Sequence, residues 1–260
     1  MIITISPSKG QDFNCEVTSE IHTIPDCLEH TSVLHKELSK LSVDEIKNLM
    51  SVSDNIAKLN FSRFKDFTTP FTKNNSKPAL FAFKGDVYSG FSKHEYTDAD
   101  LEYAQKHLRI LSGFYGALRP MDLIQAYRLE MKTKLASPKG DNLYQFWGDI
   151  ITNRLNKEFE AHDNKILLNL ASGEYFKSIN IKVLQANIVN VIFKEIKDER
   201  SKIIAIFAKK ARGLMSDYIL RNRIDDLEGV KQFNIAGYSF DDKESDGDNL
   251  VFSRIQPTKK

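Results

Sequence analysis

Short apolar runs rich in β-branched residues alternate along this chain with segments of helical periodicity, and that alternation constrains the fold more than any single motif. Ile2 to Ile5 is the first such run, and Ser6-Pro7 ends it, because proline cannot continue a ladder of hydrogen bonds. Further strand-like runs occupy residues 79–83, 165–170, 188–193, 203–207 and 250–252. Helical spacing dominates residues 26–72, where Leu28, Val33, Leu34, Leu38 and Leu41 lie mostly on one face and Ser42 with Glu45 forms a capping-box pattern. Thr97 opens a helix whose apolar spacing through Leu101, Ala104, Leu108 and Leu111 predicts a stop at Ser112-Gly113. Asn142 or Asp141 opens another through Phe146, Ile150, Leu155 and Phe159, and residues 209–222 form the last. A long helical block ahead of most strands fits a mixed α/β architecture of irregular topology better than a doubly wound sheet. No repeat or composition break divides the chain, so a single domain over 1–260 is expected.

With 260 residues, 41% of them hydrophobic and 28% charged, the chain can build a core and is not a disordered polyelectrolyte. No apolar run reaches the roughly 18 residues of a membrane span, and the first residues lack the basic region of a signal peptide. Two cysteines, Cys15 and Cys27, make no disulfide framework, so a reducing cytoplasm is the expected compartment. The spacing of Cys27, His30 and His35 matches no standard zinc arrangement, and no metal or cofactor is expected.

The net charge of +2 hides a strong division. Residues 105–140 hold seven basic against two acidic side chains, and residues 202–223 hold six against one, so each segment carries +5. Facing one groove, the two would form a positively charged cleft able to hold a polyanion. Within the first, Leu108 to Pro120 resembles a helix-hairpin-helix element, in which a glycine turn presents backbone N–H groups to a nucleic-acid phosphate. Gly113 and Gly116 are separated by two residues where that motif usually has one. Within the second, Lys209, Lys210 and Arg212 stand at the start of the expected helix, where cations oppose the helix dipole unless an anion binds.

Phe83 to Gly90 follows an expected strand and places Lys84, Asp86 and Tyr88 on a short glycine-containing loop. Lys84 could meet a phosphate or act as a nucleophile, with Asp86 orienting it or taking a proton. Phosphate-loop and nucleophile-elbow patterns are absent from the sequence.

Taken together, the segments Ile5 to Lys9, Phe83 to Tyr88, His107 to Gly113, Tyr115 to Pro120, Tyr127 to Met131, Tyr144 to Asp149, Asn169 to Ser172, Tyr175 to Ser178 and Ala208 to Gly213 resemble the YaaA family of bacterial peroxide stress proteins. They span nearly the whole chain in family order. The first motif commonly reads Ser-Pro-Ala-Lys-Thr in that family, whereas Ser8 and Gly10 replace the alanine and threonine in this chain. The resemblance implies a compact single-domain α/β fold of unusual topology, a positively charged cleft, and binding to double-stranded or distorted DNA through a helix-hairpin-helix element. It also implies a part in limiting free intracellular iron and oxidative damage. On this reading Arg109, Arg119, Lys209, Lys210 and Arg212 contact phosphates and the backbone around Gly113 and Gly116 supports the hairpin. The alternative is an enzyme acting on a nucleic-acid base or nucleotide, with Lys9, Lys84, Asp86 and Tyr88 converging in the cleft. Neither reading fixes an oligomeric state, and neither involves a membrane.

Overall fold

Ile2–Ile5 is apolar at three of its four positions because it is buried on both faces, as a central strand of a parallel sheet must be. Each fully buried isoleucine contributes about 1.5–3 kcal/mol. In the computed structural model, which describes residues 1–257, this strand pairs in parallel with Leu108–Ser112 on one side and Ile166–Asn169 on the other. Ile3 lies opposite Leu108 in the first pairing and opposite Leu168 in the second. Asn187–Lys197 and Asn249–Ile255 extend the parallel sheet beyond Ile166–Asn169. Antiparallel strands close it: Gly116–Leu118 at one edge, Ser239–Phe240 at the other, with Arg200–Lys202 folding back on Asn187–Lys197. The result is a mixed α/β fold around a mostly parallel sheet, with one continuous apolar core.

Local chemistry sets many of the helix boundaries. Ser42 and Glu45 form the expected reciprocal capping box ahead of the helix Val43–Met50, and Thr97 with Asp100 does the same for Asp98–His107. The helix opened by Asn142 is not continuous. It runs over Leu143–Trp147, breaks at Gly148 with φ +43°, and resumes as Ile150–Phe159.

Three local expectations are corrected. The helix opened by Thr97 ends at His107, and Leu108–Ser112 is a fully buried strand, because pairing with Ile2–Ile5 satisfies both its backbone and its apolar side chains. Residues 79–83 are a buried helical turn, Ala79–Ala82, followed by the two-residue bridge Phe83–Lys84 to Gly10–Gln11. Residues 203–207 pair with no strand. Ile203 and Ile206 are exposed there, and the helix Ala205–Arg221 takes over the second half of the run.

All five parallel strands point the same way, which gives the sheet two chemically distinct edges. The carboxyl edge carries Ser6-Pro7 after the first strand and Leu170 to Ser172 after Ile166–Asn169. Met1, His107 and Lys165 mark the amino edge.

Candidate functional site at the carboxyl edge of the sheet

Ligands of open parallel sheets bind outside the carboxyl ends of the strands, and a cleft of about 420 Å³ lies there. Five segments line it: Ser6 to Lys9, Gly85 to Val87, Glu130, Leu170 to Tyr175, and the helix Ala205–Arg221 through Lys209 and Arg212. Ser6 ties two of them together. Its hydroxyl accepts from the Ser172 backbone N–H at 2.9 Å, and its carbonyl accepts from the Tyr88 hydroxyl at 3.1 Å. Burial pushes the Tyr88 phenol far above its ordinary range, and its hydroxyl braces the loop against Ser6.

Lys9 reaches across the cleft floor to Glu130 at 2.8 Å, and Arg128 meets the same carboxylate oxygen at 3.0 Å. Burial alone would raise the Glu130 carboxyl, but Lys9 and Arg128 hold it below the usual carboxylate range. Glu130 is therefore ionised and neutralised within the fold.

Arg212 is different. Its Nε is buried with no hydrogen-bond partner among the described residues, and burial lowers its pKa without an opposing carboxylate. A half-buried guanidinium left in this state is costly unless an anion arrives. Lys209, three residues earlier on the same helix, shares the cleft wall, while Lys210 is exposed beside it. The helix begins at Ala205, so these cations lie a turn or more inside it and do not oppose the dipole as the sequence had implied.

Of the four residues expected in an enzymatic cleft, Lys9 and Asp86 line it. Lys84 does not. Its ammonium pairs with Asp12 at 2.6 Å, largely exposed, and holds that carboxyl below its ordinary pKa. The expected Lys84–Asp86 partnership is thus replaced by a Lys84–Asp12 pair.

The hairpin cations lie elsewhere. Leu108–Ser112 and Gly116–Leu118 form a β-hairpin, not two helices, which corrects the helix-hairpin-helix expectation. Its backbone is spoken for: the Phe114 and Tyr115 N–H groups donate to Ser112 Oγ, and the Gly113 carbonyl accepts from Trp147 Nε1 at 3.0 Å. Gly116 takes φ +75° against the Trp147 ring, which explains the glycine without any ligand. Arg109 is 3% exposed; its Nε meets Glu158 at 2.5 Å while another nitrogen donates to the Gln105 and Leu108 carbonyls. Arg119 pairs with Asp122 at 2.9 Å and Asp26 at 3.4 Å. Both arginines face a second cavity of about 470 Å³ at the amino edge, so the two cationic stretches do not form one wall. From the first stretch, Arg128, beside Glu130, stands near the carboxyl edge.

That second cavity also gathers His107, His162 and Asp225, whose candidate ligand atoms all lie within 4.8 Å of one another. Both His162 nitrogens are already engaged, one near the Met1 nitrogen and the other near the Lys106 carbonyl, so the cluster reads as a hydrogen-bonded knot. His107 stacks on Tyr103 at 3.9 Å, and burial drives its pKa down from 6.5 to about 4. Between these pH values the unfolded chain binds a proton that the folded one refuses. The His107 contribution is therefore whole above pH 6.5 and lost as pH falls towards 4. Urea midpoints at pH 7 and pH 5 should differ more for the parent chain than for His107→Gln; equal differences would remove this residue from the acid sensitivity.

A family model described as peroxide stress protein YaaA matches residues 1–244. The chain belongs to the YaaA family. Curated relatives agree in length as well as sequence: a UPF0246 protein of Alteromonas mediterranea is 49% identical over 259 residues, covering 100% of both chains. One from Aliivibrio fischeri is 48% identical with the same coverage, and one from Colwellia psychrerythraea is 48% identical over 98% of this chain and 99% of its own. In this YaaA-family chain, Glu130, Ser172, Glu174 and Tyr175 are the cleft residues that sequence reasoning left without a role. Glu130, Ser172 and Tyr175 lie in segments that carry the family resemblance and Glu174 lies between two of them, but nothing local shows that those segments meet.

Proposed function

We propose that this chain is a DNA-binding protein of the peroxide response and that its contact surface is the carboxyl-edge cleft. Lys209, Lys210 and Arg212 are the cations that meet the phosphate backbone, Lys9 being paired with Glu130. The observation that carries this reading is Arg212, a guanidinium in the cleft wall with a buried nitrogen that no described residue satisfies. A phosphate in the cleft supplies the counter-charge that this guanidinium lacks. The family resemblance supports a part in limiting free iron and oxidative damage, and a DNA partner places the chain in the cytoplasm. No helix among the described residues is long and apolar enough to cross a membrane. The contacts in this reading follow backbone and shape, not base sequence.

Fluorescence anisotropy of labelled linear, bent and junction DNA across a salt series tests this reading. Replacing Lys209, Lys210 and Arg212 with glutamine should weaken binding by an order of magnitude or more and flatten the log–log salt slope by about 2–3, near 0.9 for each lost phosphate contact. Affinity and slope unchanged in the triple variant would overturn the assignment.

A further inference from the structure

The size and mixed lining of the cleft define its occupant more closely than charge does. A continuous duplex backbone is best tracked by a wall of one sign. Here three cations, Lys9, Lys209 and Arg212, share the lining with three carboxylates, Asp86, Glu130 and Glu174. Glu130 is neutralised by Lys9 and Arg128, and Glu174 accepts from the Lys132 backbone N–H at 3.3 Å. Asp86 is left: among the described residues no hydrogen bond or ion pair engages its carboxylate, and it stands on the loop that faces the Lys209–Arg212 helix. One wall of the site thus offers cations to an anion, and the other offers an exposed carboxylate to an N–H donor. Pro7, Val87, Leu170 and Tyr175 supply apolar surface between them.

A nucleotide has this division, with a phosphate at one end, amino or imino donors at the other and a flat apolar face between. The cleft volume of about 420 Å³ falls in the range of about 300–1,000 Å³ typical of small-ligand sites and is far too small to admit a duplex. We infer that the cleft receives a single nucleotide turned out of the DNA stack, its phosphate on Lys209 and Arg212 and the donor edge of its base on Asp86. The inference rests on the DNA-binding reading and adds to it the unit that is bound. Extruding a base costs a few kcal/mol from a matched duplex and least where the base is mismatched or unpaired. Preference for damaged or distorted DNA then follows from the energy of extrusion, without any groove contact. A carboxylate accepting from an exocyclic amino group favours cytosine among the pyrimidines.

The test uses the full chain with duplexes that carry 2-aminopurine either paired with thymine or in a mismatch, and with free deoxycytidine monophosphate. Expected are binding at least about tenfold tighter to the mismatched duplex, the equivalent of about 1.4 kcal/mol, and a rise in 2-aminopurine fluorescence as the base leaves its neighbours. The free nucleotide should bind, at least tenfold more weakly in Arg212→Gln. Val87→Trp, which fills the cleft from its rim, should abolish mismatch preference and the fluorescence rise. Asp86→Asn, a substitution that keeps shape, should weaken deoxycytidine monophosphate more than deoxythymidine monophosphate. Equal affinity for matched and mismatched duplex with unchanged fluorescence overturns the inference and leaves the DNA reading standing. Binding of the mononucleotide without binding of any duplex overturns the DNA reading and, with it, the extruded base.

Discussion

Gly213→Ala should destabilise the fold by about 3 kcal/mol and lower the thermal midpoint on the order of 5–10 °C, although alanine is by itself the better helix former by about 1 kcal/mol. A Cβ at Gly213 would stand 1.8 Å from the Val87 carbonyl oxygen, and one at Gly90 would stand 2.5 Å from the Leu214 nitrogen. The helix that carries Lys209 and Arg212 thus meets the loop that carries Asp86 backbone to backbone, where no flexible side chain can yield. Relief requires the two segments to part, and parting them widens the cleft between Asp86 and Arg212. Ligand affinity should therefore fall even at temperatures where Gly213→Ala remains folded. Gly173→Ala is the matched control: its Cβ would touch nothing within 4 Å, so stability should stay level or rise by a few tenths of a kcal/mol. Denaturation midpoints and nucleotide affinity for the two variants check both statements. Equal stability of Gly213→Ala and the parent would contradict the close approach.

Closeness of this kind leaves little trace in sequence, whereas burial leaves a clear one. Ile2–Ile5 and Ile166–Asn169 were legible, because buried strands read as β-branched or aliphatic runs, whereas Asn187–Lys197 and Asn249–Ile255 were legible only over 188–193 and 250–252, their apolar parts. Leu108–Ser112 was misread because Leu108 and Leu111 fall in phase with Leu101 and Ala104 of the preceding helix. The pairing of Ile3 with Leu108, more than a hundred residues apart, decides between the two conformations. Residues 203–207 failed in the opposite direction: the β-branched signal is present, but Ile203 and Ile206 have no neighbouring strand to cover them. At the candidate site the same logic holds. Lys9, Asp86, Lys209 and Arg212 were singled out from composition and local motif, and the structure brings them to one cleft. Arg109 and Arg119 looked equivalent in sequence, yet each is matched by acids that only the fold brings near. A count of local charge registers cations, but not whether something already neutralises them.

Glu158→Ala should separate these two classes of arginine. Glu158 is nearly buried and holds the Arg109 guanidinium at 2.5 Å and the Arg154 Nε at 3.2 Å. Burial lowers the Arg109 pKa and Glu158 opposes that shift, so the acid is what keeps a buried cation tolerable. Removing one partner of such a pair strands the other, at a cost of about 3–5 kcal/mol. Replacing both, as Arg109→Met with Glu158→Leu, exchanges the pair for apolar volume and should recover most of that loss. A double-mutant cycle in urea built from Arg109→Met, Glu158→Leu and the two together should therefore return a coupling of at least about 2 kcal/mol. DNA affinity of the folded double variant should match the parent within about twofold, because both residues lie at the amino edge, away from the cleft; the corresponding loss for the Lys209, Lys210 and Arg212 variant is tenfold or more. If removing Arg109 in the stable double variant weakens DNA binding as much as removing the helix cations does, the contact surface must reach the hairpin. A small coupling with unchanged DNA affinity would leave Arg109 without either role, an outcome at odds with a guanidinium that is 3% exposed and bonded to one carboxylate and two backbone carbonyls.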